Sequence, residues 1–496
     1  MFQKFVLTII WVMIISISYV TWTSFTNKQT QPLHETAQQT EQVININIEQ
    51  TDVTETAVQP NTYDEYINLA NKFKDEEKYK TAIEYYQKAL GVKENDNYTL
   101  TQLAETYFQN NQYDNALETY KKTKEIKPST TVDINIVKCL LALNKIKEAK
   151  KLLWETDVSD LNVEYYQAII FIIYNKLDDA ENVFKTIINT SDDSNVKNLA
   201  QLKEKARKFI NAYETFSYYI DEDNIHLKTL LAKAMSENEE YRPSIYILKQ
   251  VIKEKADYRD AWVIMGFNYL NLEEIKESID ALTKAKKLDE HKPETLFYLG
   301  LAYFANNDID KAIANIELAD KNGYKQKDQI KLKLGDLYAI KGRFRDSEKV
   351  YDELLTINQN NIEIFTRSVW LNIDKLDDKE KALRIANKAI QVHPQNAMSY
   401  DLMGWVLLAE NNYTQAEEYL NKALQLDPFL AAAHLNLGIL YEKNHQNTLA
   451  KEFYQNAYLN GKNTSISSLA ASQFNKLTER EAKSFMKANV LEGQEQ

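Results

Sequence analysis

A small side chain, alanine or serine, recurs along this chain at a spacing of about 34 residues, which is typical of an array of helical repeats. Nine of the ten successive gaps are close to this length, and the gap from Ala180 to Ser244 is nearly twice as long. Hydrophobic residues lie three or four positions to either side, which is the period of a buried helix face. The members are Ala82, Ala116, Ala149, Ala180, Ser244, Ser278, Ala312, Ser347, Ala382, Ala416 and Ala450.

Glycine marks a second position with the same period. The chain has only 10 glycines in 496 residues, and five of them lie twelve residues before a recurring small residue. Glycine inside a helix costs about 1 kcal/mol relative to alanine, so its repeated use indicates that a second helix comes close. We expect two sets of residues to pack the helices of the repeats: on first helices Gly266, Gly300, Gly335, Gly404 and Gly438, and on second helices Ala82, Ala116, Ala312, Ala416 and Ala450.

From about Tyr63 to Lys462 this pattern resembles that of tetratricopeptide-repeat (TPR) proteins. The family's small first-helix position falls on Ala70, Ala104 and the five glycines, and its repeat-ending proline on Pro128, Pro394 and Pro428. The resemblance implies an all-α fold, a right-handed α-solenoid of about eleven helix pairs. Each pair buries its apolar face by stacking on its neighbours.

The one long gap divides the repeats into an N-terminal segment, residues 63–190, and a C-terminal segment, residues 225–462. Ala212 lies midway between the two flanking members, so a degenerate repeat fits between them. The sequence there has no turn signal, which fits a single long helix equally well. We therefore expect residues 191–224 to form a joint, as either a helix or a degenerate repeat.

The C-terminal residues 463–496 are expected to cap the array, because a solenoid needs a terminal element with a polar outer face. One capping helix is predicted over about Ser465 to Lys476. Thr478 and Glu481 have the spacing of a capping box that would open a second short helix. A frayed tail is expected after it.

The N-terminal residues 1–25 contain an apolar run without a charge, from Phe5 to Phe25. The run is long enough for a membrane-spanning helix, which needs about 20 residues, so we predict a single-pass anchor; a cleaved signal peptide is the alternative. Lys4 before the run gives a slight charge bias that places the repeats outside the cytoplasm. Residues 26–62 are rich in Thr, Gln and Glu without an aromatic residue, which predicts a disordered linker.

Catalytic and metal-binding patterns are missing from the sequence. The six histidines and the single cysteine show no metal-ligand spacing, and no phosphate-binding or nucleophile motif occurs. The formal net charge of −12, without a basic run, argues against a nucleic-acid partner. We therefore predict a protein that is not an enzyme and uses no cofactor.

Function is then expected on a surface. In TPR proteins the first helices line a concave groove, and the resemblance assigns the second, fifth, ninth and twelfth positions of each repeat to it. An apolar groove would bind a peptide or a helix of a partner protein; the alternative is that these residues pack against the next repeat. The candidate residues are Tyr98, Phe108, Val263, Phe267, Phe297, Leu301, Phe304, Met398, Trp405 and Leu408.

These features favour a membrane-anchored TPR scaffold that gathers proteins of a cell-envelope or surface complex. The first alternative is a secreted or periplasmic chaperone-like TPR factor whose signal peptide is cleaved. The second, from another class, is an accessory to a glycan- or protein-modifying enzyme. The sequence leaves the partner and the oligomeric state open.

Overall fold

The computed structural model describes residues 62–75, 77–157, 160–191, 198–218, 224–461 and 464–492, with side chains up to residue 481. These residues form 24 α-helices and no strand. The predicted anchor and nearly all of the predicted linker lie outside the described residues. Within the described part, no helix is both long enough and apolar enough to cross a membrane.

The chain divides into two compact units at Gly323 and Tyr324. The first unit holds seven helix pairs and one further helix, α9, between the fourth and fifth pairs. Its helices are α1 (Tyr63–Asp75), α2 (Tyr79–Val92), α3 (Asn97–Gln109), α4 (Tyr113–Ile126), α5 (Thr130–Ala142), α6 (Ile146–Glu155), α7 (Leu161–Ile173), α8 (Leu177–Asn189), α9 (Leu199–Ser217), α10 (Asn224–Glu237), α11 (Tyr241–Glu254), α12 (Arg259–Asn271), α13 (Ile275–Leu288), α14 (Pro293–Ala305) and α15 (Ile309–Lys321).

The second unit holds four helix pairs and a terminal helix. Its helices are α16 (Lys327–Ile340), α17 (Phe344–Ile357), α18 (Ile362–Trp370), which continues into a π-helical turn (Leu371–Lys375), α19 (Lys379–Val392), α20 (Ala397–Ala409), α21 (Tyr413–Leu426), α22 (Ala431–Lys443), α23 (Asn447–Asn460) and α24 (Ser465–Glu492). The described residues therefore contain eleven helix pairs, as the repeat spacing predicts.

Every pair turns at one residue in the left-handed backbone conformation, five residues before its recurring small residue. Five of the eleven are asparagine, which adopts this conformation more readily than most residues. At Asn411 (φ 62°) the next amide, Asn412 N–H, donates to the carbonyl of Leu407 at 2.9 Å. This is the Schellman ending of a helix, and it fixes where each first helix stops. The eleven turn residues are Glu77, Asn111, Asn144, Asn175, Glu239, Glu273, Asn307, Gly342, Asp377, Asn411 and His445.

The five repeated glycines face a bulky side chain of the second helix. A Cβ atom on Gly404 would lie 2.5 Å from Leu420 Cγ, and one on Gly438 would lie 2.5 Å from Tyr454 Cδ1. The remaining three glycines meet the residue sixteen positions later in the same way. The recurring small residues of the second helices Ala82, Ala116, Ala312, Ala416 and Ala450 have no solvent exposure. The glycines thus make room for side chains as well as for the approaching backbone.

The predicted joint contains a single helix of 19 residues, α9, with no internal turn. Its Phe209 ring stacks on Phe184 of α8 with a centroid distance of 4.2 Å, and both side chains are fully buried. The helix lies between α8 and α10 and packs against both. The division predicted at residues 191–224 therefore falls inside the first unit.

The interval between Ser347 and Ala382 is one residue longer than the usual repeat, and a first helix accommodates the extra residue. The Leu376 N–H bonds to the carbonyl of Leu371 at 3.0 Å, five residues earlier, which widens one turn of the helix by a residue. The left-handed residue Asp377 still lies five positions before Ala382. The insertion therefore leaves the second helix in register.

The prediction of two capping helices was wrong. Residues Ser465–Glu492 form one helix, α24. The Thr478 hydroxyl bonds back to the Phe474 carbonyl at 2.9 Å, as an interior helical threonine does, and opens no new helix. Glu481 accepts from Asn447 Nδ2 at 2.8 Å and pairs with Lys451, so it ties α24 to α23.

Candidate protein-binding surface

The candidate residues lie on the first helices of their repeats, α3, α12, α14 and α20. First helices of successive repeats contact one another in both units, for instance α12 with α14 and α20 with α22. One face of each first helix therefore packs against the next repeat. We number positions so that the small residue facing the second helix, such as Gly404, is the eighth.

The fifth position is buried between consecutive first helices in most repeats. Phe297, predicted for the groove, is only 2% exposed and packs edge-to-face against Tyr298 at 5.9 Å. It is therefore a core residue, because the neighbouring first helices close over it. Other buried residues at this position are Ile67, Ile134, Tyr165, Leu332, Asp401 and Leu435.

The ninth position is more accessible. Phe267 and Leu301 in the first unit and Trp405 in the second are all half-buried. The Phe267 ring lies edge-to-face with Tyr298 of the next first helix at 5.3 Å. Phe267 and Leu301 lie on successive first helices of the first unit, and each keeps part of its apolar surface exposed.

The other candidates in the first unit vary in exposure. Tyr98 is 49% exposed, and its hydroxyl accepts from Asn71 Nδ2 at 3.3 Å. Phe108 is half-buried, and its ring packs edge-to-face with Tyr113 at 5.2 Å. Val263 and Phe304 are half-buried.

In the second unit, Met398 lines an open cleft of about 660 Å³ between two inter-repeat loops. The cleft is bounded by residues 392–398 and by Leu426, Asp427 and Leu430, beside Phe429, which is 74% exposed. Leu408, another candidate, is only 8% exposed because it packs within the core of α20 and its neighbours. Met398 and Trp405 are thus the accessible candidates of α20.

A buried carboxylate on α20 was missed by the sequence analysis. Asp401 is 2% exposed, and its Oδ1 atom accepts from Asn436 Nδ2 on α22 at 2.9 Å. Burial raises the pKa of Asp401 to about 7, while the hydrogen bond from Asn436 opposes the rise. An aspartate at a position that is apolar in most repeats was the signal available in the sequence.

Charges on α16 and α18 form a second polar group. Arg367 Nε lies 2.7 Å from Asp336 Oδ1, and Arg367 Nη1 lies 2.8 Å from Glu363 Oε1. The Tyr351 hydroxyl donates to the same Asp336 oxygen at 2.7 Å. Burial acts to lower the pKa of Arg367, but the two carboxylates outweigh it and leave the pKa raised. These groups satisfy one another, and nothing in their geometry resembles a catalytic arrangement.

No group of three or more His, Cys, Asp or Glu side chains in the described part of the chain is placed to hold a metal ion. The single cysteine, Cys139, is fully buried, and burial raises the pKa of its thiol to about 12. A thiol with that pKa is not a nucleophile near neutral pH.

Comparison with known proteins agrees with this architecture. Models of the tetratricopeptide repeat match residues 260–292, 299–362 and 397–430. A model of the anaphase-promoting complex, cyclosome, subunit 3 matches residues 75–156.

Three proteins similar to this chain differ in how much of it they match. A TPR repeat-containing protein of Methanocaldococcus jannaschii is 20% identical over 430 residues, which are 74% of this chain and 76% of that protein. The human protein O-mannosyl-transferase TMTC1 is 24% identical over 201 residues, 40% of this chain but only 22% of the transferase. The crystal structure of the APC/C hetero-tetramer Cut9-Hcn1 covers 83% of this chain and 96% of that chain, with 15% identity and a TM-score of 0.36. This chain therefore contains tetratricopeptide repeats at residues 260–292, 299–362 and 397–430, and its eleven described helix pairs share their helix–turn–helix form.

Proposed function

We propose that this chain is a non-enzymatic scaffold whose repeats bind partner proteins. The observation that carries the proposal is a half-buried apolar side chain at the ninth position of first helices in each unit: Phe267 and Leu301 in the first unit, and Trp405 in the second. Apolar side chains that stay exposed together on one surface mark sites of protein–protein interaction. The match of residues 75–156 to the model of a subunit of the anaphase-promoting complex supports a role in an assembly.

The proposal includes attachment to a membrane through residues 1–25. The support is the sequence alone: an apolar run without a charge from Phe5 to Phe25, followed by a linker of polar composition. The linker would give the repeats reach above the membrane, and the slight charge bias places them on the extracytoplasmic side, in a cell-envelope or surface complex. Alkaline extraction of native membranes tests the anchor: the full-length chain should remain in the pellet, and its mature N-terminus should precede Phe5. Recovery in the supernatant, with a new N-terminus after the apolar run, would instead support the secreted factor.

The partner-binding surface is tested by comparing two tryptophans. Trp405 is a half-buried ninth-position residue on a first helix, whereas Trp154 lies on a second helix, α6, and is 44% exposed. We expect Trp405→Ala to lose a protein that the wild type captures from native membranes, and Trp154→Ala to retain it. Circular dichroism and the melting temperature establish that both variants are folded. Equal capture by both variants would show that the ninth position of α20 does not bind the partner.

A further inference from the structure

One contact in the first unit joins repeats that are far apart in the chain. Helix α11 packs against α5 and α7 as well as against its own repeat. In a regular solenoid each repeat contacts only its neighbours. The turn between α10 and α11, residues 238–242, thus reaches back onto the first helices of the third and fourth pairs.

Specific polar contacts hold this turn. The Tyr166 hydroxyl donates to Glu240 Oε1 at 2.8 Å. Asn238 Nδ2 donates to the Tyr165 hydroxyl at 3.2 Å and to the Lys205 carbonyl at 3.1 Å. Further along the turn, the Arg242 guanidinium lies 5.8 Å from the centre of the Tyr113 ring.

The covered face is one on which a partner would be expected. Lys138 occupies the ninth position of α5, and its Nζ atom lies 5.9 Å from the centre of the Tyr166 ring on α7. Burial lowers the pKa of Lys138, and the nearby Glu240 carboxylate opposes that shift. The face therefore combines an ammonium group, a phenol and aromatic rings around one carboxylate of the same chain.

The turn is also anchored independently to its own part of the unit. Arg242 pairs with Glu274 of the next repeat at 2.6 Å, and the buried Ser244 donates to the Ala232 carbonyl at 2.7 Å. The turn thus keeps polar contacts with its own part of the unit when those with α7 are broken. The turn itself is held to α7 by single hydrogen bonds, each of which water can partly replace, beside apolar side chains of the shared core.

We propose that residues 238–242, here called the latch, cover the face of α5 and α7 that carries Lys138 and Tyr166. The latch leaves this face reversibly. When open, Tyr113, Lys138 and Tyr166 face solvent and accept an acidic segment of a partner in place of Glu240. This consequence rests on the proposed partner binding, whereas the opening of the latch does not. The latch would make binding at the N-terminal repeats conditional on displacing the chain's own carboxylate.

Lysine acylation of the full-length chain, followed by mass spectrometry, tests the opening. Lys138 is the reporter under the latch, and Lys333, 4% exposed in the second unit, is the reference. Asn238→Ala and Tyr166→Phe each remove latch hydrogen bonds without changing a charge. Asn322→Ala is the matched control, because Asn322 Nδ2 also donates to a carbonyl of a distant residue, His291, at 2.9 Å.

We expect both latch variants to speed acylation of Lys138 by about 2- to 10-fold, the factor that corresponds to the loss of one hydrogen bond. Lys333 should be unaffected, and Asn322→Ala should change neither rate. An unchanged Lys138 rate in both latch variants would overturn the proposal. A parallel rise at Lys333 would overturn it too, because the chain would then be loosening as a whole. No partner takes part in the measurement, so its failure would leave the proposed scaffold function standing.

Discussion

Ser278 donates a 2.7 Å hydrogen bond from its buried hydroxyl to the carbonyl of Gly266, twelve residues earlier on the facing helix. Ser347 makes the same bond to Gly335 at 2.8 Å, and Ser244 to Ala232 at 2.7 Å. Serine is thus accommodated at the recurring small position because its hydroxyl donates a hydrogen bond to a backbone carbonyl of the first helix. Repeats with alanine there pack without this bond.

Replacing Ser278 with alanine should lower the free energy of unfolding only slightly. One hydrogen bond is lost, which is worth about 0.5–1.5 kcal/mol, and alanine fits because other repeats already carry it. Ser278→Val should cost more, since the added methyl groups overpack a position with no exposure. Urea denaturation followed by circular dichroism measures both. Equal effects of the two substitutions would show that space at this position is not limiting.

The same glycine-to-alanine change should have opposite signs at two helical sites. At Gly404 the new Cβ lies 2.5 Å from Leu420 Cγ, so overpacking should cost about 1–3 kcal/mol and exceed the gain in helix propensity. At Gly91, within α2, the new Cβ meets no atom within 4 Å, and Gly91→Ala should stabilise by up to about 1 kcal/mol. Thermal denaturation of the two variants measures the sign and size of each change in stability.

A compensating change tests the cause at Gly404. Combining Gly404→Ala with Leu420→Ala removes the Cγ and Cδ2 atoms that the new methyl group would meet. The pair should therefore be less destabilising than the sum of the two single changes. Simple additivity would place the strain elsewhere.

Gly342 should resist replacement for a different reason. Its φ is +77°, and no atom lies within 4 Å of an added Cβ, so the backbone alone opposes a side chain. Gly342→Ala should cost about 1–2 kcal/mol. Gly342→Asn should cost less, since asparagine fills five of the eleven equivalent turns. We expect Gly342→Ala to lower the melting temperature more than Gly342→Asn does.

Asp401 should make the second unit less stable as pH rises. Its pKa is about 7 in the folded chain and about 4 in the unfolded chain. Because the folded state holds the proton more tightly, this stabilisation is complete below pH 4 and is lost as pH rises through 7. Asp401→Asn, which keeps an acceptor for Asn436, should flatten the melting temperature between pH 5 and pH 8. An unchanged slope would mean that Asp401 stays ionised.

Local spacing carried most of what the sequence could predict. Eleven pairs follow from the recurring small residues, and the close approach at Gly404 follows from the cost of glycine in a helix. Which face of a first helix the next repeat covers is not local information, and Phe297 was therefore assigned to the groove although it is buried. The contact between Tyr166 and Glu240 spans 74 residues and has no signature in either segment.

The apolar character of α7 was nevertheless a usable signal. Leu161–Ile173 has buried residues around most of the helix, including Tyr165, Ile169 and Ile173. A helix that is apolar on all sides must be covered by other residues on all sides. The neighbouring repeats of a regular array cover only some of its faces.

Thr478 and Glu481 fit a capping box by their spacing, but the helix continues through them. Glu481 instead bonds to partners that α23 supplies.

The π-helical turn at Leu371–Lys375 shows how a repeat array can accommodate the insertion of one residue within a repeat. A codon inserted in a first helix would rotate every later side chain by about 100° if the helix stayed α. Here the extra residue is confined to one widened turn. The left-handed residue Asp377 therefore keeps its usual position relative to the second helix, α19. Deleting Asn372 should convert this turn to ordinary α-helix and return the repeat to the usual length. Length variation among such repeats can thus be neutral for everything downstream.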